Sequence, residues 1–409
     1  MKASFIFLKY LFVFVLLPAS LLAEAEKDNT ITDSKTIVKT FTVNKDAEFK
    51  LISRESDVTI TTWNENKVEV KVTLTVEAFE REELDKMLNE MQVSIIGSPE
   101  SVSVQSDMCF KQQITTGSKT KIKTGTQTIK IKKYKFTYEI KMPRTNHLDL
   151  KNSYGSVTLG EHSGRVNLSI YEGSVMAGKM TPTEGLVSLK YSDATLGNVK
   201  DLKLEGYESK INIGESSQLN LNAKYCTVNA GKARDVQLSA YESKITLGIS
   251  TEVTGQQNYG TLTIAESKRI SLKTYELNLQ TGKVDNLTLT DSKYSKVVCG
   301  DIGILNITNA YENDMLFAKV GTIAGNAKYC KIDIGKLQES LSLTGYELTC
   351  RVDDLSKDFK NLKVEGKYSK VYASMPSGTG YQLSSELTYG TISYPESNFV
   401  STKNDKKDT

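Results

Sequence analysis

Apolar and polar residues alternate with a period of two along most of the chain, and a tyrosine interrupts the alternation at nearly even intervals. Tyr154, Tyr171, Tyr191, Tyr207, Tyr225, Tyr241, Tyr259, Tyr275, Tyr294, Tyr311, Tyr329, Tyr346, Tyr368 and Tyr389 lie 16 to 20 residues apart, except for the last two gaps of 22 and 21. Alternation marks strands with one buried face. A short fixed period means one small unit stacked many times rather than a conventional core. One unit reads Leu202-x-Leu204-x-Gly206-Tyr207-Glu208-Ser209-Lys210-Ile211-x-Ile213-Gly214, and another reads Val236-x-Leu238-x-Ala240-Tyr241-Glu242-Ser243-Lys244-Ile245-x-Leu247-Gly248. The apolar positions are even before the tyrosine and odd after it. A strand cannot change face without a bend or bulge, so the chain turns a corner at each tyrosine.

The units are of two kinds. Tyr-Glu occurs at Tyr171, Tyr207, Tyr241, Tyr275, Tyr311 and Tyr346, and Lys-Tyr followed by Ser or Cys at Tyr191, Tyr225, Tyr294, Tyr329 and Tyr368. Two coil lengths fit, about 18 residues with alternating kinds or about 35 with two corners. The longer coil would stack Glu208, Glu242 and Glu276 at one strand spacing, roughly 4.8 Å, which like charges resist. The shorter coil is therefore expected, and fourteen turns of it would make a rod of roughly 67 Å. Tyr171, Tyr207, Tyr225, Tyr241, Tyr275, Tyr294, Tyr311, Tyr329 and Tyr346 read as structural corner residues with rings turned inward. The other reading of such an aromatic series is a ladder for sugar rings.

Ahead of the repeats the pattern changes. Residues 35–76 alternate as strands, most regularly at Val68, Val70, Val72, Leu74 and Val76, and Trp63 sits in a connection between two of them. Residues 79–92 place Leu84, Met87, Leu88 and Met91 on one helical face, with Glu80, Glu82 and Glu83 in the first turn, where acid complements the positive helix end. Residues 93–142 return to strands. Lys111 to Lys141 holds nine lysines and one acid, Glu139. Alternation puts Lys133, Lys135 and Lys141 opposite Tyr134, Phe136, Tyr138 and Ile140. That basic face could meet an anionic polymer, or serve as a solvated strand face that discourages edge pairing.

The expected fold is all-β: a β-solenoid of about 18 residues per coil plus a small N-terminal β-rich domain carrying one helix. The expected order is a signal peptide (1–25), an N-terminal capping domain (26–145), solenoid repeats (146–395) and a disordered tail (396–409). The signal rests on Lys2 and Lys9, the apolar run 11–17 and the small-x-small site Ala23-Glu24-Ala25. The first cysteine is Cys109, so none stands at the cleavage site to carry a lipid. After cleavage no segment is apolar enough to stay in a bilayer. The net charge of +3, from 52 basic and 49 acidic residues, does not point to nucleic acid. Five cysteines without a C-x-x-C read as small packed residues, not as a disulfide or zinc framework.

At Phe41-Thr42-Val43, at Ser56-Asp57-Val58-Thr59-Ile60-Thr61-Thr62-Trp63-Asn64-Glu65-Asn66-Lys67-Val68, and at Met142-Pro143 followed by Leu148-x-Leu150-x-Asn152-Ser153-Tyr154-Gly155, the chain resembles the DUF4097 family of adhesin-like, β-strand-repeat proteins of bacterial envelopes. Ser56 stands where that family usually has glycine. The resemblance covers most of residues 36–395 and implies the same repeat fold, with location in the periplasm or at the cell surface.

No catalytic motif emerges. His147 and His162 are the two histidines, and His162, in a Glu-His-Ser-Gly turn, reads as a surface loop residue. Asp353-Asp354, the adjacent acidic pair of the repeats, reads as a solvated turn. No Gly-x-Ser-x-Gly or phosphate-binding glycine loop occurs. No catalytic, cofactor or metal residues are assigned. The expected function is a non-catalytic exported envelope protein, an adhesin-like scaffold presenting a surface to a glycan, polymer or another envelope protein. The alternatives are a β-helix enzyme acting on polysaccharide, which needs convergent carboxylates in a groove, or an envelope-stress accessory protein.

Overall fold

The computed structural model describes residues 29–378 apart from 91, 107–109, 117–118, 125–126 and 182–184, together with 380, 382 and 393. The expected signal (1–25) and tail (396–409), Met91, Cys109 and the unit around Tyr389 lie outside the described residues. Each alternating segment pairs in parallel with the segment about 18 residues further on, which makes a β-solenoid of about twelve turns. Leu202 stands beside Leu219 and then Val236; Leu204 stands beside Leu221 and then Leu238; Ile211 stands beside Val228. All of these are buried. The interior is thus a set of aliphatic columns, each fully buried side chain contributing roughly 1.5–3 kcal/mol. The shorter of the two coil lengths is the one adopted.

The change of face has a single backbone cause. Fourteen residues, from Glu55 through Tyr154, Glu172, Tyr191 and Glu208 to Tyr368, hold φ between 44° and 61°, and among the described residues they are the non-glycine positions with positive φ. One left-handed residue reverses the inside–outside phase, so two successive residues face outward and the next faces in. In one coil Lys190 and Tyr191 are exposed and Ser192 is buried; in the next Tyr207 is half-buried, Glu208 exposed and Ser209 buried. Each left-handed residue costs about 1–2 kcal/mol. The corner N–H groups recover part of it. The Tyr191 amide donates to the Tyr207 carbonyl, that of Glu208 to Lys224, and that of Tyr225 to Tyr241, each at 3.0 Å.

The inward residue after the corner explains the recurrent serine. Its own N–H points along the stack, where no strand carbonyl meets it. The Cys226 amide donates to Ser243 Oγ at 3.1 Å, and the Ser243 hydroxyl donates to its own coil's Tyr241 carbonyl at 2.9 Å. Ser192 and Ser209 repeat the arrangement. Ser295 and Asn313 continue it, the Leu277 amide donating to Ser295 Oγ and the Ser295 amide to Asn313 Oδ1. In the coil of Tyr259 the serine is replaced by Gly260, at φ +84°, and the buried Gln257 side-chain amide donates instead to the Ser243 carbonyl at 2.8 Å.

The N-terminal region is built from β1 (Ile31–Thr42), β2 (Glu48–Arg54), β3 (Ser56–Trp63), β4 (Lys67–Ala78), α1 (Arg81–Asn89), β5 (Val93–Gly97), β6 (Ser101–Ser106), β7 (Phe110–Thr116), β8 (Lys119–Thr124), β9 (Gln127–Ile131) and β10 (Lys133–Pro143). β2 and β3 form a coil of the stack: they pair in parallel with His147–Ser153 and Ser156–Leu159, and Glu55 is their left-handed corner. The rest covers the edges that this coil would expose. β6 lies parallel to β2 and carries β5; β10 lies parallel to β3 and carries β4 and β1. Pairing removes the open N–H and C=O rows that invite edge association. β7, β8 and β9 make a separate antiparallel sheet. The helix buries Leu84 and Met87, with Leu88 packed against the same core.

Ser243→Ala should leave the Cys226 N–H without a partner and cost about 1–3 kcal/mol. Ser243→Cys should cost less, because Cys226 and Cys330 occupy this place in other coils. The checks are thermal unfolding and the exchange rate of the Cys226 amide, which should rise in the alanine variant.

Candidate functional site

The strand register fixes what the corner shows to solvent. In the column before the left-handed residue, Tyr171, Lys190, Tyr207, Lys224 and Tyr241 follow one another, as do Tyr275, Lys293, Tyr311, Lys328, Tyr346 and Lys367. The left-handed column itself alternates the other way: Tyr154, Glu172, Tyr191, Glu208, Tyr225, Glu242, Tyr259, Glu276. The two kinds of unit are thus one checkerboard two residues wide. Tyrosine occupies one column in odd coils and the neighbouring column in even coils, with glutamate on one flank and lysine on the other. Like charges fall two coils apart.

Thirteen tyrosines from Tyr154 to Tyr368 form twelve successive edge-to-face contacts, with ring centroids 5.3–5.8 Å apart and planes 69–88° to one another. This is the geometry aromatic quadrupoles favour, at about 0.5–1.5 kcal/mol per pair. The rings do not turn inward as the strand parity suggested. They stand on the outer edge: Tyr154, Tyr191, Tyr225, Tyr294 and Tyr329 are 39–44% exposed, and Tyr171, Tyr207, Tyr241 and Tyr275 are half-buried. The reason is the left-handed residue, which turns two consecutive side chains outward and assigns the inward place to the serine.

Charge is held against this edge. Lys190 Nζ lies 5.4–5.8 Å from the ring centroids of Tyr171, Tyr191 and Tyr207, a favourable cation–π range. The Arg54 guanidinium sits over Tyr154 at 5.1 Å and closes the ladder at its capped end. The hydrogen bond to Glu172 pushes the Tyr171 phenol up to about 12. Glu208 and Glu312 raise Tyr207 and Tyr311 in the same way. Desolvation is the leading cause for Tyr241, Tyr275 and Tyr346. These phenols therefore keep their protons, and can donate hydrogen bonds, over the whole neutral range.

The basic face predicted on β10 is charge-balanced. Lys133 pairs with Glu77 at 3.0 Å, Lys141 with Glu69 at 2.9 Å, and Lys135 with Asp57. Glu77 also accepts from Thr30 Oγ1, and that hydrogen bond, with those from Lys133 and Lys132, holds its carboxyl down at about 2. Sequence spacing placed the lysines on one face but could not show the acids of neighbouring strands. A second surface feature is an open groove of about 920 Å³ on the strand face that leads into the corner, lined among others by Asp149, Asn167, Asp201, Asn220, Gln237 and Glu252.

Asp353 and Asp354 lie in the strand Thr349–Leu355 rather than in a turn, and Asp354 pairs with Lys336 at 2.8 Å. Cys226, Cys299, Cys330 and Cys350 are free and buried, and burial pushes the Cys299 and Cys350 thiols up to about 12. Among the described residues no three His, Cys, Asp or Glu gather as a metal-binding group, and no helix is long and apolar enough to cross a membrane. His162 is not a surface residue. It is 2% exposed beneath the 144–147 turn, 2.8 Å from the Asn146 carbonyl. A carbonyl only accepts, so Nε2 carries the proton and Nδ1 is the bare nitrogen. Burial brings the imidazole down to about 4.

No family model matches the chain, and no curated protein does. Among solved structures it is similar to a "putative adhesin" from Parabacteroides distasonis (11% identity, 84% of this chain and 98% of that one, TM-score 0.17). It is also similar to a "putative lipid binding protein" from the same species (8% identity, 83% and 96%, TM-score 0.18). A third is a "putative cell adhesion protein" from Clostridium sporogenes (10% identity, 84% and 100%, TM-score 0.16). At such similarity a ligand has to be argued from this chain's own side chains.

Unfolded His162 gains its proton below about pH 6.5 while the folded form resists until about 4. The unfolded state binds more protons in that window, so stability falls as pH drops from 6.5 to 4, by about 3 kcal/mol, and the contribution is whole above 6.5. Thermal unfolding of wild type and His162→Gln at pH 7 and pH 4 should show the smaller pH loss in the variant; equal losses would contradict this.

Proposed function

We propose that this chain is a non-catalytic, exported envelope protein, an adhesin-like β-solenoid that holds an extended polymer along its tyrosine edge. The observation that carries the reading is the unbroken outward-facing ladder of thirteen rings with lysine and glutamate on its two flanks. The ring contacts help hold the corners, yet they leave Tyr154, Tyr191, Tyr225, Tyr294 and Tyr329 exposed to solvent. A row of aromatic rings, each with a phenol hydroxyl and a charged neighbour within reach, suits a ligand with apolar faces and hydroxyl edges. Carbohydrate has both.

The rigidity of the stack supports a holding role. Every coil is bonded to the next through main-chain ladders, so the rings keep their spacing with or without ligand, and binding costs little ordering. Export rests on the pattern of residues 2–25, and the envelope setting on the DUF4097 resemblance.

Sedimentation with isolated bacterial envelope material tests the reading. The wild-type chain should pellet with the envelope fraction and leave the polymer intact, with no reducing ends released. A variant carrying Tyr191→Ser, Tyr225→Ser and Tyr294→Ser should stay in the supernatant while keeping its β circular dichroism. Retention of the folded triple variant on the envelope would remove the tyrosine edge as the binding surface.

A further inference from the structure

The spacing of the ladder narrows the ligand. The tyrosines occupy two columns in alternate coils, so the same column returns every second coil, while successive ring planes stand near perpendicular. The more exposed set, Tyr154, Tyr191, Tyr225, Tyr294 and Tyr329, belongs to the left-handed column. Two coil rises are about 9.6 Å. The solvent side of that column therefore presents exposed rings at that interval from Tyr154 to Tyr225 and again from Tyr294 to Tyr329, with the half-buried Tyr259 between the two runs.

A polymer that matches such a row must be straight and must return the same face at every second unit. A β-1,4-linked pyranose chain does both: its equatorial linkages extend it, and each sugar is turned over relative to the last. Its two-sugar repeat is close to two coil rises. An α-1,4 or a β-1,3 chain curls, and would leave register with an evenly spaced column after a few units. The flanks add a second selection. Glu172, Glu208 and Glu242 on one side and Lys190 and Lys224 on the other alternate along the edge, so it carries no sustained field of one sign. A polyanion such as a uronate or phosphate polymer would meet a carboxylate at every second coil. Carboxylate acceptors, ammonium donors and phenol hydroxyls suit hydroxyl and N-acyl groups instead.

We propose that the tyrosine edge binds a neutral, extended β-1,4-linked glycan, one sugar face on each exposed tyrosine and one disaccharide for every two coils. The proposal rests on the reading of the edge as a ligand-holding surface and specifies its ligand.

Titration calorimetry of the full chain with chito-, cello-, malto- and laminari-oligosaccharides of two to eight sugars tests it. Chito- or cello-oligosaccharides should bind, with affinity rising at each added pair of sugars, and the α-1,4 and β-1,3 series should not. Tyr225→Ala should weaken the longest ligand roughly three- to tenfold, and Tyr225→Phe should retain most of the affinity because the face is kept. Equal binding of malto- or laminari-oligosaccharides would overturn the linkage assignment and leave the polymer-holding edge standing. So would failure of all four series while the tyrosine variants still lose the envelope. Failure of all four with envelope binding unchanged in the variants would overturn both. The wild-type length series decides even if Tyr225→Ala does not fold.

Discussion

The structure depends on one residue per coil being held in the left-handed region. Every side chain downstream of that residue takes its phase from it. Without the reversal the aliphatic positions on the two sides of the corner could not both face inward, and the serine would lie outside. The cost of about 1–2 kcal/mol per corner recurs in every coil, so its offset must recur too. It does, through an amide-to-carbonyl bond at the corner and an edge-to-face ring contact, each worth about 0.5–1.5 kcal/mol, and in many coils a serine, asparagine or cysteine also receives the preceding coil's amide. Glycine would enter this conformation more cheaply. It would give up the side chain that makes the ladder.

The same corner converts sequence alternation into surface chemistry. Two outward positions in succession give a strip two residues wide, and alternating Lys-Tyr with Tyr-Glu fills it as a checkerboard. Each charge then has aromatic neighbours rather than a like charge, which relieves the repulsion that stacking identical coils at one strand spacing would bring. The protein thus carries a long aromatic edge without a continuous apolar patch. That combination suits a solvent-facing binding strip better than a hydrophobic stripe, which would invite self-association.

The N-terminal region solves a different problem. A solenoid has two open ends, and the capped one is closed by strands of both orientations: β6 and β10 continue the two strand faces in parallel, then β5 and β4 turn the pairing antiparallel. Its β10 lysines, Lys133, Lys135 and Lys141, are neutralised within it, by Glu77, Asp57 and Glu69.

Much of the fold was legible from the residues because the repeat is periodic. Strand alternation, the change of phase at each tyrosine, and the improbability of stacking Glu208 on Glu242 were enough to reach a coil of about 18 residues. The direction of the rings was not legible. Parity counted from flanking aliphatics assumes ordinary strand backbone, and a left-handed residue adds a half-step that no residue type announced, since tyrosine and glutamate are both uncommon there. The acids facing Lys133, Lys135 and Lys141 escaped for a related reason: they come from β3 and β4, and only pairing brings them near. His162 looked like a loop residue from its neighbours in sequence, yet the 144–147 turn folds over it. Period, coil length and strand content follow from local alternation, which each segment carries alone. Which way a corner side chain points, which charges are spent on one another, and whether the tyrosines become a surface depend on backbone handedness and on segments distant in the chain, and those are settled where coils meet.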